Sequence, residues 1–148
     1  MLDRIPADGA EARARARAAR PGQVMAALDL GTNNCRLLIA RQGANGFQVI
    51  DAFSRIVRLG EGVSQTGELA PAAMDRTIEA LKVCAAKMQR RGVSLMRSVA
   101  TEACRRAANG IGFLERSRAE AGIELEIITT AEEAKLAFSG CMPLLERH

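Results

Sequence analysis

Apolar and polar positions change their period along this chain. From Val24 to Leu30 (VMAALDL) the residues are nearly all apolar, and the run stops at Gly31. A second run, Cys35–Arg41 (CRLLIAR), follows Gly31-Thr32-Asn33-Asn34, a cluster of turn formers, so the two predict a hairpin. Gly43–Gly46 predicts another turn, and a third strand follows from about Phe47 to Leu59. There Asp51, Ser54 and Arg55 interrupt Val49, Ile56 and Val57, which predicts a bend or an edge strand. The period then becomes helical: Met74, Ile78, Leu81, Ala85 and Met88 recur three or four residues apart and form one face. Pro71 suits the first turn of that helix, where its missing N–H costs nothing, and Gly92 suits its stop. Val93–Ala100 reads as a strand, Glu102–Ala108 as a short helix, and Ile111–Ala121 as a second helix closed by Gly122. Glu124–Thr129 (ELEIIT) predicts a last strand. A final helix starts near Ala131 and runs at least to Gly140.

The predicted order is β-β-β-α-β-α-β-α, an α/β domain on a mixed sheet. Strands separated by helices need crossover connections, so the later strands should lie parallel. One domain spans residues 24–148. Residues 1–23 read as a disordered Arg/Ala-rich tail whose apolar residues are almost all Ala, too small to anchor it.

At 148 residues with 48% hydrophobic content, the chain can bury a core. No apolar stretch approaches the ~20 residues that span a membrane, and the N-terminus lacks the charge order of a secretory signal. Cys35, Cys84, Cys104 and Cys141 are scattered with no CxxC pair, against a disulfide scaffold or zinc site and for a reduced, cytoplasmic protein. The net charge of +4 overstates any basic face. The tail carries five Arg against Asp3, Asp8 and Glu11, and the body is close to neutral. Aromatic content of 3% removes the stacking platforms that bind single-stranded nucleic acid, so nucleic acid is not an expected partner.

Three places could carry chemistry. Asp29-Leu30-Gly31-Thr32-Asn33-Asn34 puts an Asp at a strand end before small polar residues. Such a tip can surround a phosphate oxygen while the Asp holds Mg²⁺; it also reads as an ordinary Asx-rich hairpin. Thr101-Glu102-Ala103-Cys104-Arg105-Arg106 lies just past a strand end, where open α/β sheets collect ligands. Its two Arg could clamp an oxyanion or simply solvate a surface helix. The third place is Glu132-Glu133. A helical wheel sets Glu132 with Lys135 and Ser139 in solvent, and Glu133 with Leu136, Ala137 and Gly140 against the sheet. A buried carboxylate there would have a raised pKa, as suits a general base, although both acids also suit a first helical turn. Gly60-Glu61-Gly62 reads as a turn between the last hairpin strand and the first helix, with a flexible lid as the alternative. There is no G-x-G-x-x-G and no Walker loop, against Rossmann and P-loop nucleotide binding.

In this order the three sites resemble the exopolyphosphatase / guanosine pentaphosphate phosphatase family, over about Ala26 to Gly140. AALDLGTNNCRLLIAR looks like its first phosphate loop, RLGEGVSQTGELAPAAMDRTIEALKVC like its first long helix and approach, and VATEACRRAANGIGFLERSRAEAGIELEIITTAEEAKLAFSG like the stretch carrying its catalytic Glu. The resemblance implies a ribonuclease-H-like domain of the actin-like ATPase superfamily. It implies that Asp29 helps hold Mg²⁺, that Gly31, Thr32, Asn33, Asn34 and Arg105 bind phosphate, and that Glu133 is the catalytic base. The implied substrate is polyphosphate or guanosine pentaphosphate, the implied reaction attack by water on the terminal phosphoryl group, and a homodimer is one assembly open to the full-length protein. Lys135 departs from the Arg usual after Glu-Glu-Ala. The second glycine-rich loop and the paired domain are not in the sequence, so the chain is expected to be the front part of a longer enzyme, with little turnover alone. Two other functions stay open: a non-catalytic phosphate- or nucleotide-binding fragment, and an anion or nucleic-acid tether acting through the tail.

Overall fold

The computed structural model describes residues 20–145, with side chains through Cys141. The expected disordered tail therefore lies, from residue 1 to 19, outside the described residues. Three antiparallel-linked strands come first: β1 (Val24–Leu30), β2 (Asn34–Gly43) and β3 (Gly46–Ile56). A single helical turn α1 (Val63–Thr66) leads into the long helix α2 (Pro71–Arg90). Then come β4 (Leu95–Ala100), α3 (Glu102–Arg106), α4 (Gly110–Ala121), β5 (Glu126–Ile127) and α5 (Thr130–Leu145). The sheet order is β3-β2-β1-β4-β5, with β1, β4 and β5 mutually parallel as the crossovers require. Among the described residues no helix is long and apolar enough to cross a membrane.

Alternation along β1 and β2 sends one set of side chains inward. Val24, Ala26, Leu28 and Leu30 join Cys35, Leu37 and Ile39 in a core completed by Ile78, Leu81, Cys84 and Met88 of α2 and Phe113 of α4. Met74 and Ala85, expected on the apolar face of α2, are only partly buried at its margin. Pro71 does open α2, and Gly92 follows its end with φ 66°, the left-handed conformation glycine adopts without strain. Cys35 and Cys84 meet inside, Sγ to Sγ 4.0 Å, as free thiols, and Cys141 alone of the four cysteines is exposed.

Several boundaries move from their expected places. Val93 donates its N–H to the Met88 carbonyl, closing α2, so β4 starts only at Leu95. The last strand shrinks to Glu126–Ile127 because the flanking Leu125 and Ile128 turn inward as core. Pairing also begins before Val24: Gly22 donates to the Gln42 carbonyl, and Gln42 donates back to Gln23, because β2 outruns β1. β3 is both an edge strand and bulged, its pairing slipping from Ile39–Asp51 to Ala40–Val49.

Asp51 interrupts the apolar pattern of β3 because it serves α2. Its carboxylate accepts hydrogen bonds from Lys87 Nζ and Arg91 Nε, each at 3.0 Å. The Lys87 bond first, then the Arg91 bond, hold its pKa down at about 2. The stabilisation is therefore complete above the ordinary value of 3.8 and is lost as pH falls towards 2. Melting temperature measured against pH should show Asp51→Asn less stable than the parent at pH 7, with the two curves converging near pH 2.

Candidate functional site

The β1–β2 hairpin closes by a single backbone bond at its tip, from the Gly31 N–H to the Asn34 carbonyl (2.9 Å). That donor is engaged in the turn, while Thr32 and Asn33 at the tip are exposed. The carbonyls of Thr32 and Asn33 point back into the protein. There the segment 57–60 grips them: Val57 and Arg58 N–H both donate to the Asn33 carbonyl, and Gly60 N–H to the Thr32 carbonyl. A Cβ on Gly60 would sit 2.3 Å from Thr32 Cγ2, so only glycine lets the two segments lie this close.

Beside the tip, β4 ends against β1. Thr101, buried, donates its N–H to the Leu30 carbonyl (3.1 Å), and α3 begins when Arg105 N–H returns to the Thr101 carbonyl. This turn carries Arg105 to the carboxyl end of the parallel strands. Its Nη1 donates to the Ile128 carbonyl at 2.5 Å, and its Nη2 lies 3.6 Å from Glu133 Oε2. Thr129 caps α5 by accepting the Glu132 N–H on its hydroxyl (3.1 Å), which places both glutamates in the first turn. Between α3 and α5 lies an open cleft of about 560 Å³, lined by Glu102, Arg105 and Arg106 on one side and Thr130, Glu133 and Ala137 on the other.

The three sequence candidates thus converge. Asp29 sits at the end of β1 on the outer face of the sheet, opposite Arg36 in the hairpin register. Loss of surrounding water raises its pKa, the nearby Glu133 carboxylate raises it further, and Arg36 partly offsets both. Asp29 and Glu133 are therefore near enough to repel. A hard divalent cation would relieve that repulsion through oxygen ligands. The described residues hold no cluster of three or more His, Cys, Asp or Glu for a metal, so such an ion would rely on these carboxylates, water and phosphate oxygens. Mg²⁺ suits that donor set.

The expected burial of Glu133 is overturned. Ala134 through Cys141 are all exposed, so Leu136, Ala137 and Gly140 bury nothing around it. The helix is also turned from the predicted wheel. Glu132, not Glu133, faces the sheet: its Oε1 accepts a hydrogen bond from Arg97 Nη2 at 2.5 Å, and Leu136 one turn on lines a hollow over the outer face with Asp29 and Arg36. Glu133 faces α3 instead. The physical cause is that α5 is held mainly by ion pairs from its first turn, not by apolar packing along its length.

Sequence reasoning missed three participants. Arg36 could have been found by counting the hairpin register outward from the Gly31–Asn33 tip. Arg97 stands on a predicted strand with nothing in its neighbours to single it out. Gly60 was read as part of a plain turn, and its close approach to Thr32 leaves no local trace.

The pattern of the Ppx/GppA phosphatase family matches residues 38–147. Exopolyphosphatase 2 of Mycobacterium tuberculosis is 40% identical over 127 residues, which cover 80% of this chain and 40% of that protein. The crystal structure of the Aquifex aeolicus Ppx/GppA family member superposes with a TM-score of 0.77 at 34% identity, over 80% of this chain and 39% of that one. An exopolyphosphatase from Cytophaga hutchinsonii superposes with a TM-score of 0.74 at 29% identity, over 77% and 36%. The fold is thus the actin-like, ribonuclease-H-like one, and the chain spans about two fifths of the length of these relatives.

Proposed function

The chain belongs to the Ppx/GppA phosphatase family, and from that premise we propose that it forms one wall of an active site that hydrolyses terminal phosphoanhydride bonds of inorganic polyphosphate. Guanosine pentaphosphate presents the same terminal bond and is the other substrate this wall would fit. The observation that carries the reading is the convergence of Asp29, Arg105 and Glu133, from three distant segments, at the carboxyl ends of β1 and β4.

In this reading the exposed Thr32 and Asn33, with Gly31 and Asn34 beside them, receive the terminal phosphoryl oxygens on amide, hydroxyl and carboxamide donors. Arg105 donates one N–H to the Ile128 carbonyl and pairs with Glu133 at 3.6 Å, leaving other N–H donors for an oxyanion while its charge steadies the Glu133 carboxylate. Glu133 orients a water and takes its proton as the water oxygen bonds to phosphorus. The P–O bond to the rest of the chain breaks, and the shortened polyphosphate departs with the electron pair. Asp29, with Glu133 close by, would hold Mg²⁺, whose charge would neutralise the phosphoryl oxygens.

Calorimetric titration of the protein with tripolyphosphate tests the phosphate wall directly. Saturable binding that strengthens with Mg²⁺ and weakens with EDTA is the expected result. Absence of binding in both conditions overturns the reading, and binding by an enzyme with a complete cleft but no phosphate release would leave a phosphate-binding module instead.

A further inference from the structure

We propose that Arg76, on α2 and remote from any reacting atom, is a positioning residue that sets the shape of the phosphate-facing hairpin tip through the segment 57–61. The inference rests on the reading that this tip receives a terminal phosphate.

The geometry is a relay. Arg76 Nε donates to the Val57 carbonyl at 3.0 Å, while its Nη2 lies 3.5 Å from the Arg58 carbonyl and 2.9 Å from Glu61 Oε2. One planar guanidinium thus ties the segment at Val57, Arg58 and Glu61, which a single ammonium could not do with the same reach. The need for a clamp is visible at Arg58, the only residue other than glycine with positive φ among those described, at 50°. A side chain there disfavours that conformation, so it persists only where its surroundings impose it. The consequence falls on the tip. The N–H groups of Val57 and Arg58 both reach the Asn33 carbonyl, at 2.8 and 3.0 Å, and the positive φ at Arg58 turns the chain that follows towards the tip. Gly60 N–H adds the Thr32 carbonyl at 2.9 Å, and its missing Cβ lets the segment lie flat on Thr32 and against Ala103.

Three amides therefore hold the inward-facing carbonyls of the tip, and the opposite side of the same two peptide units is what a phosphate would meet. Arg76 is paired with Glu61, so its charge is locally matched. What it supplies is geometry. The single turn α1 and α2 pack on the core through apolar side chains, with Val63, Ala73, Ile78 and Leu81 buried.

The test uses Arg76→Lys, Arg76→Ala and, as an independent perturbation of the same contact, Gly60→Ala. Amide hydrogen exchange at Val57, Arg58 and Gly60 is followed by NMR, with tripolyphosphate affinity in Mg²⁺ and melting temperature measured alongside. Both Arg76 variants should speed exchange at those three amides and weaken tripolyphosphate binding by roughly 10-fold, the scale of a small misplacement of binding groups. Melting temperature should move by only a few degrees. Millimolar guanidinium chloride, against a sodium chloride control, should restore binding to Arg76→Ala and not to Gly60→Ala. A parent protein that fails to bind tripolyphosphate overturns the phosphate reading. A parent that binds, with Arg76 variants that exchange faster yet bind equally well or that exchange unchanged, overturns the positioning role alone.

Discussion

In an enzyme with a complete cleft, Glu133→Gln is expected to lower kcat for phosphate release by roughly 10²–10⁴-fold, the usual worth of the positioned general base proposed for it. The amide keeps the shape of the side chain and its reach towards Arg105, and it removes only the capacity to accept the proton of the attacking water. Stability should change little, because the carboxylate is 45% exposed and its 3.6 Å pairing with Arg105 is long. The companion variant Glu132→Gln separates the two adjacent acids. Glu132 holds α5 to β4 through Arg97, so its loss should cost up to about 1 kcal/mol of stability, as for a partly exposed ion pair. Its kcat should stay within about threefold, since it touches no group assigned to the chemistry. Steady-state phosphate release with thermal melting of both variants decides the matter. A larger kcat loss for Glu132→Gln would mean that the sheet-facing acid is the base.

Asp29→Asn is expected to do two opposite things at once. The raised pKa of Asp29 means that its ionised form is less comfortable folded than unfolded. For a carboxyl raised in the folded state, ionisation opposes folding above the folded pKa, and the penalty vanishes as pH falls below the ordinary value of 3.8. The asparagine variant should therefore melt higher than the parent at pH 7, with the gain disappearing towards pH 3. The same substitution removes the charged oxygen proposed to hold Mg²⁺, so the Mg²⁺ concentration needed for half-maximal activity of an enzyme with a complete cleft, or for tripolyphosphate binding, should rise by roughly 10–100-fold. A higher melting temperature with weaker metal dependence would identify Asp29 as a group kept for function against stability. An unchanged Mg²⁺ dependence would remove it from the metal site.

What the chain reveals by itself is local. Alternation in β1 and β2, the helical period from Met74 to Met88, and the Pro71 and Gly92 boundaries are each written within a few residues, because backbone geometry repeats every two or 3.6 residues. The crossover rule then orders the parallel strands without further information. Asp29, Arg105 and Glu133 were also legible, through the motifs that carry the family resemblance. Only the tertiary structure decided how those residues face one another. The α5 wheel has apolar residues at 136, 137 and 138, so its period permits more than one buried face. Arg97 and Arg105, which arrive from other elements, set the rotation by pairing with Glu132 and Glu133. The grip of segment 57–60 on the hairpin tip was equally invisible. It consists of backbone hydrogen bonds and a missing Cβ, and neither leaves a side-chain pattern, because their partners are close in space and distant along the chain.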